Sequence, residues 1–253
     1  MGRWRDIDKL LARPRNIISP GISNKFVQCT LQTSFFFQEE EGLGSEARSP
    51  LFDGESVLKI WNLNKFGGVV GVFNCQGAGW DPKVRKFRGY PQFYKPVSDS
   101  VHPNNIEWDQ KKETSHMGEA EEYAVHLNQA NKLFLTTPKS SPTQITIQPS
   151  SFEIFSFIPI KNISHRNLKF APVGLVNMFN SGGTIVEVEH DGDSARVRVK
   201  GKRSFLAYSS GRPLRGMVDG DDVGFDWSDD GSLEMEVDWE EDKGGMSEVC
   251  FVY

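Results

Sequence analysis

LKIWNLNKFGGVVGVFNCQGAGW, from Leu58 to Trp80, joins two strand-like runs to a polar cluster of Asn, Gln, Gly and Trp. Leu58, Ile60, Val69, Val70, Val72 and Phe73 supply apolar, partly β-branched material, and Gly67-Gly68 between the runs reads as a hairpin turn. Two β-strands are the expected result. Asn62, Asn64, Asn74 and Gln76 each carry donor and acceptor groups, while Trp61 and Trp80 offer flat apolar faces. That mixture suits sugar hydroxyls and the C–H face of a pyranose ring. Trp61, Asn62, Asn64, Gln76 and Trp80 are therefore the candidate substrate-binding residues. The plainer reading also stands: amides satisfy turn backbone and tryptophans fill a core.

Outward from this stretch, period-two patterns dominate and point to an all-β, antiparallel, sandwich-like fold. Tyr123–Leu127, Lys132–Thr136, Gln144–Gln148 and Phe152–Ile158 are short apolar or alternating runs separated by Pro, Ser and Asn. TIVEVEHDGDSARVRVK, from Thr184, reads as a hairpin. With Asp191-Gly192 as a type I′ turn, Val186 would face Val197, Val188 would face Ala195 and Glu187 would face Arg196. In SLEMEVDW, from Ser232, alternation buries one row and wets the other, beside the aromatic residues Phe225, Trp227 and Trp239. The acidic DGDD string, Asp219 to Asp222, lacks EF-hand spacing, so calcium is a minor alternative there.

Composition narrows the function classes. A net charge of −5 argues against nucleic-acid binding, which relies on concentrated Lys and Arg. No run approaches the ~20 apolar residues of a membrane helix, and the N-terminus lacks a secretory apolar segment, which reads as a cytoplasmic protein without membrane contact. Cys29, Cys75 and Cys250 are odd in number and show no C-x-x-C spacing; neither a disulfide framework nor a metal site is expected. Cys75 reads most simply as a small buried filler. The five histidines share no common face.

Two segments depart from the β pattern. WDPKVRKFRGYPQFYKP, from Trp80, is a basic, aromatic loop that either packs over its own sheet or presents a sticky patch. Residues 1–48 look foreign to the rest: MGRWRDIDKLLARPRN suggests a short amphipathic helix ended by Pro14, Lys25 to Phe37 is strand-like, and a charged, Gly-containing linker follows.

From residue 49 to 253 the chain resembles one family throughout. SPLFDGESVLKIWNLNKFGGVVGVFNCQGAGWDPKVRKFRGYPQFYKPVS from Ser49, IEWDQKKE from Ile106, QPSSFEIFSFIPI from Gln148 and LKFAPVGLVNMFNSGGTI from Leu168 resemble, in order, blocks of the C-terminal region of plant raffinose and stachyose synthases. That family sits with seed imbibition proteins in glycoside hydrolase family thirty-six. WDQKKETSHMGEAEEYAVHLNQANKL, from Trp108, resembles the stachyose synthase branch more than most raffinose synthases.

The resemblance implies retaining galactosyl transfer from galactinol to sucrose or raffinose, with no cofactor or metal. Retaining chemistry needs two carboxylates about 5 to 5.5 Å apart. In the family both are aspartates of K-x-D and R-x-x-x-D motifs on a (β/α)₈ barrel upstream of the matching region. Such a barrel takes ~250 residues, and only about fifty precede the match. No K-x-D triplet occurs, and the single R-x-x-x-D string, Arg215 to Asp219, falls in the wrong block. The expectation is a family member lacking the catalytic barrel, inactive alone, with no catalytic residue assigned. Two alternatives stay open: a non-catalytic carbohydrate-binding β-module, and an interaction protein docking on a full-length relative.

Overall fold

A computed structural model describes residues 54–81, 85–108, 117–163, 167–176, 178–238 and 245–253. The N-terminal helix, the Lys25–Phe37 run and Trp239 lie outside them. Among the described residues there is no α-helix, and the strands run, in chain order, β1 (Leu58–Leu63), β2 (Gly68–Phe73), β3 (Ala78–Asp81), β4 (Lys86–Gly89), β5 (Val97–Val101), β6 (Tyr123–Leu127), β7 (Lys132–Thr136), β8 (Thr143–Ile147), β9 (Phe152–Pro159) and β10 (Lys161–Ile163). They continue with β11 (Leu168–Leu175), β12 (Ile185–Asp191), β13 (Ser194–Lys200), β14 (Arg203–Ser209), β15 (Arg215–Val218), β16 (Asp221–Asp222), β17 (Phe225–Trp227), β18 (Ser232–Val237) and β19 (Met246–Val252). The four runs predicted between Tyr123 and Ile158 are β6, β7, β8 and β9, with bounds shifted by one residue at most.

The chain divides into two compact units. One takes in the described residues up to Asn62 together with Val70–Asn105 and Ser141–Glu153; the other takes in Leu63–Val69, Ile106–Ser140 and Ile154–Tyr253.

The first unit contains the greater part of β1 and β2, the β3–β4 hairpin and the β5–β8 pair, in which Val97 lies opposite Ile147 and Val101 opposite Thr143. Its apolar cluster is Ile60, Phe73 and Cys75, with Leu58 and Phe152 against it. The basic, aromatic segment is not an open loop. It folds back on itself as β3 and β4, with Trp80 opposite Phe87 and Asp81 opposite Lys86.

The second unit is an antiparallel sandwich. One sheet runs β10-β11-β14-β18-β17 and the other β12-β13-β19-β15-β16. Alternation in each strand turns one row inward. Phe170, Phe205, Leu233 and Met235 from the first sheet meet Val197, Val199, Val249 and Phe251 from the second in one core. β18 follows its sequence pattern: Leu233, Met235 and Val237 are buried, while Glu234 and Glu236 are exposed. In the same unit β6 pairs antiparallel with both β7 and β9.

Two turns differ from expectation. The turn after β1 is built on Lys65-Phe66, closed by an Asn64 N–H donating to the Gly67 carbonyl at 2.8 Å, and neither central residue needs positive φ. Gly67 and Gly68 are required instead for close packing. A Cβ at Gly67 would lie 2.8 Å from the Phe157 carbonyl oxygen, and one at Gly68 would lie 2.7 Å from Ile106 Cδ1. The β12–β13 hairpin exists, but its turn is Gly192-Asp193: Asp191 pairs with Ser194, Val188 with Val197 and Glu187 with Arg198. Only Gly192 of the turn has positive φ. This satisfies a type II′ turn, whereas type I′ at Asp191-Gly192 would force the aspartate there as well.

Candidate functional site

In the first unit the polar motif forms a frame of amides and backbone. Asn74 is fully buried, and its Nδ2 donates to the carbonyls of Lys95 at 2.9 Å and Ile147 at 3.0 Å. Its Oδ1 accepts from the Gln76 N–H, and its own N–H donates to the Ser151 carbonyl. Gln76, 2% exposed, receives the Gly54 N–H at Oε1 and donates from Nε2 to the Ser56 carbonyl at 2.8 Å. Both ends of that amide are thus engaged by main chain. Asn74, Gln76 and their partners tie four separate stretches together, the work of buried amides that must be satisfied.

Strand alternation places Ile60 and Asn62 on the buried face of β1 and Lys59 and Trp61 on the other, half-buried face. Lys59 there meets Asp99 Oδ1 at 3.0 Å and donates to the Ser100 carbonyl. Trp80 lies on β3. Asn64 belongs to the second unit, where its Nδ2 donates to Asn180 Oδ1 at 2.6 Å. The candidates therefore divide: Trp61, Asn62, Gln76 and Trp80 fall in the first unit, Asn64 in the second.

Sequence reasoning gave no role to Asn180 or its loop. Leu175 N–H donates to Thr184 Oγ1, Thr184 Oγ1 donates to the Ser181 carbonyl, and a Cβ at Gly174, φ +105°, would sit 2.2 Å from that same carbonyl oxygen. The signal was present in the FAPVGL and NSGG strings as a glycine needing left-handed backbone beside a polar turn.

Around the R-x-x-x-D string the acids are engaged in local pairing. Arg215 pairs with Asp222, its Nη2 donating to Oδ2 at 2.8 Å, and the hydrogen bond and charge of Arg215 hold the Asp222 carboxyl below the usual carboxylate range. Asp219 accepts the Glu248 N–H at Oδ1. DGDD is thus the β15–β16 turn and its flank. Among the described residues no group of three or more His, Cys, Asp or Glu is placed to hold a metal ion. Cys75 is a buried free thiol, pushed up to about 11 by burial. No helix among the described residues is long and apolar enough to cross a membrane.

Comparison with known proteins bears directly on this frame. A family model described as raffinose synthase or seed imbibition protein Sip1 matches residues 45–237. The chain belongs to that family. It is 55% identical to a stachyose synthase of Pisum sativum over 202 residues, covering 80% of this chain and 24% of that protein. It is 43% identical to a probable galactinol–sucrose galactosyltransferase 4 of Arabidopsis thaliana, covering 81% and 24%, and 38% identical to a galactinol–sucrose galactosyltransferase of Pisum sativum, covering 71% and 23%. The chain thus spans about a quarter of the length of these curated members of the raffinose synthase family. A solved structure, BuGH86wt in complex with neoagarooctaose, is 13% identical with a TM-score of 0.20, covering 79% of this chain and 32% of that one, a likeness too low to carry an argument.

Proposed function

We propose that this chain is the C-terminal β-region of a galactinol-dependent galactosyltransferase acting on sucrose or raffinose in raffinose-family oligosaccharide metabolism, and that it contributes no catalytic carboxylate. The observation carrying this reading is the 55% identity to stachyose synthase over 80% of a chain whose described residues are built from strands. A retaining transfer would use two carboxylates held on a barrel elsewhere in the full-length enzyme. In that setting the Asn74–Gln76 frame acts as a rigid mount, because both ends of the Asn74 and Gln76 amides are held by main chain. The setting proposed is cytoplasmic, with no cofactor or metal required of this region.

The test is turnover. Incubated with galactinol and either sucrose or raffinose, the 253-residue chain is expected to give no higher oligosaccharide above blank. Product formation abolished by replacing one of its own carboxylates would overturn the proposal.

A second reading, direct sugar contact, is favoured by the half-buried position of Trp61 on the outer face of β1. It would draw on Trp61 and Trp80 for stacking, with Gln76 acting through the backbone it fixes. Trp61→Ala would then weaken raffinose binding measured by calorimetry while leaving the unfolding midpoint near wild type.

A further inference from the structure

Ring closure between an aspartate carboxyl and the next backbone nitrogen is a slow reaction to which Asp-Gly pairs are prone, because glycine puts no Cβ beside the attacking nitrogen. It needs a carboxyl that can swing onto that nitrogen and an N–H that is not already donating. The sequence holds four such pairs, Asp53-Gly54, Asp191-Gly192, Asp219-Gly220 and Asp230-Gly231, and the fold treats them differently.

Three are held. The Gly54 N–H donates to Gln76 Oε1 at 2.9 Å in a buried bond. Asp219 is tied to Glu248 twice: its N–H donates to the Glu248 carbonyl at 2.9 Å, and its Oδ1 accepts the Glu248 N–H at 2.8 Å. Asp230 Oδ1 accepts from the Ser232 N–H at 3.0 Å and from the Ser228 hydroxyl, while the Gly231 N–H donates to the Ser228 carbonyl at 2.8 Å. Each pair must open locally before the ring can form, so its rate falls with the small open population.

Asp191-Gly192 is the exception. Asp191 ends β12 and pairs with Ser194 across the turn, and a two-residue turn of this kind is closed by its flanking residues, leaving the first central N–H to solvent. The Gly192 N–H meets no backbone acceptor among the described residues, and Gly192 itself is exposed. The Asp191 side chain is 77% exposed, and its Oδ2 lies 3.7 Å from Arg196 Nη1, beyond hydrogen-bond distance.

We propose that Asp191-Gly192 is the site of spontaneous isoaspartate formation in this chain and, through it, a substrate site for a carboxyl methyltransferase using S-adenosylmethionine. The Gly192 nitrogen attacks Asp191 Cγ; a C–N bond forms, and the carboxyl hydroxyl leaves as water with the amide proton. Water then adds to the α-carbonyl of the succinimide and breaks its bond to the Gly192 nitrogen. The chain now continues through Cβ and Cγ, and a free α-carboxylate remains. The enzyme passes a methyl from the sulfonium sulfur to an oxygen of that carboxylate, and S-adenosylhomocysteine leaves. Because the main chain gains a methylene at a turn that spans two central residues, the Asp191–Ser194 pair closing the hairpin is lost with the change. The site is independent of the galactosyl-transfer reading and of the polar frame in the first unit.

The experiment ages the whole chain at neutral pH, folded and in parallel unfolded in guanidinium chloride. Isoaspartate is counted by enzymatic transfer of labelled methyl from S-adenosylmethionine and located by peptide mapping. The folded chain is expected to accumulate it at Asp191, with the other three pairs several-fold lower, and the unfolded chain at all four. Asp191→Glu keeps the charge but would have to close a six-membered ring, so most of the methyl acceptance of the folded chain should be lost, its fold being checked by circular dichroism. Asp191→Asn, which releases ammonia in place of water, should raise isoaspartate at this position. Three results would overturn the proposal: no isoaspartate at Asp191 over a period in which the unfolded chain reacts, equal accumulation at the other pairs of the folded chain, or unchanged methyl acceptance in Asp191→Glu. Confinement to Asp191 in the unfolded chain as well would also overturn it, by placing the selectivity in local sequence rather than in the fold.

Discussion

Asn74 has no solvent exposure, and removing its amide leaves the Lys95 and Ile147 carbonyls without their donor. Asn74→Ala is expected to cost about 1–3 kcal/mol in urea unfolding, most of it from the buried Ile147 carbonyl, since the Lys95 carbonyl is only partly buried. Gly174→Ala meets both a positive φ and the Ser181 carbonyl oxygen, and at least about 3 kcal/mol of destabilisation, or failure to fold, is expected. His126 is 2% exposed, its Nδ1 has no hydrogen-bond partner among the described residues, and burial lowers its pKa. The unfolded chain therefore takes up a proton near pH ~6.5 that the folded chain resists. The stability tied to this neutral imidazole is full above that value and is lost as the pH falls from there toward the folded pKa. His190 pulls in the same direction. Denaturant midpoints at pH 7.5 and 5.5 should accordingly fall further in wild type than in His126→Gln, and equal falls would remove His126 from the account. Sequence exposed the amides here but not their use. Asn74 and Gln76 differ in nothing local from sugar-binding amides; only long-range pairing with residues as distant as Ile147 makes them struts.

At the scale of elements, strand existence was readable and strand register was not. Period-two alternation located β6, β7, β8, β9 and β18 because burial of one face is a local property of each strand. Register depends on turn type, and Asp191-Gly192-Asp193 admits two turns that differ in which residue takes positive φ. The structure resolves this through Gly192 at φ +56°, and the shift brings Glu187 against Arg198 at 2.9 Å. Gly192→Ala should cost about 1 kcal/mol from the backbone alone, since no atom lies near the added Cβ. Asp191→Gly, at a residue with no positive φ, should bring no gain in stability and cost up to about 1 kcal/mol as an added strand glycine; thermal denaturation of this variant decides the turn. If Asp191→Gly proved stabilising, as relief of an aspartate at positive φ would make it, the II′ assignment would be wrong. The glycines at 67 and 68 teach the converse lesson, because a Gly-Gly pair signals a turn locally while here it marks where Phe157, Ile106 and Trp108 approach the chain.

Over the whole molecule, the fold class followed from pattern, and family membership was visible in four ordered blocks between Ser49 and Ile185. The sandwich buries residues from both of its sheets in one core, an architecture suited to holding shape. What pattern could not separate was binding from bracing within the Leu58–Trp80 motif, since both use Asn, Gln and Trp. The division of its candidates, with Gln76 engaged by backbone in one unit and Asn64 paired to Asn180 in the other, came only with the structure. The central claim is that this β-region has no nucleophilic carboxylate for galactosyl transfer. A retaining enzyme passes through a covalent glycosyl intermediate, so intact-mass spectrometry after incubation with a 2-deoxy-2-fluoro-galactosyl fluoride tests the claim most directly. The account predicts the unmodified 28.5 kDa mass; a stoichiometric galactosyl adduct mapped to an aspartate or glutamate of this chain would contradict it.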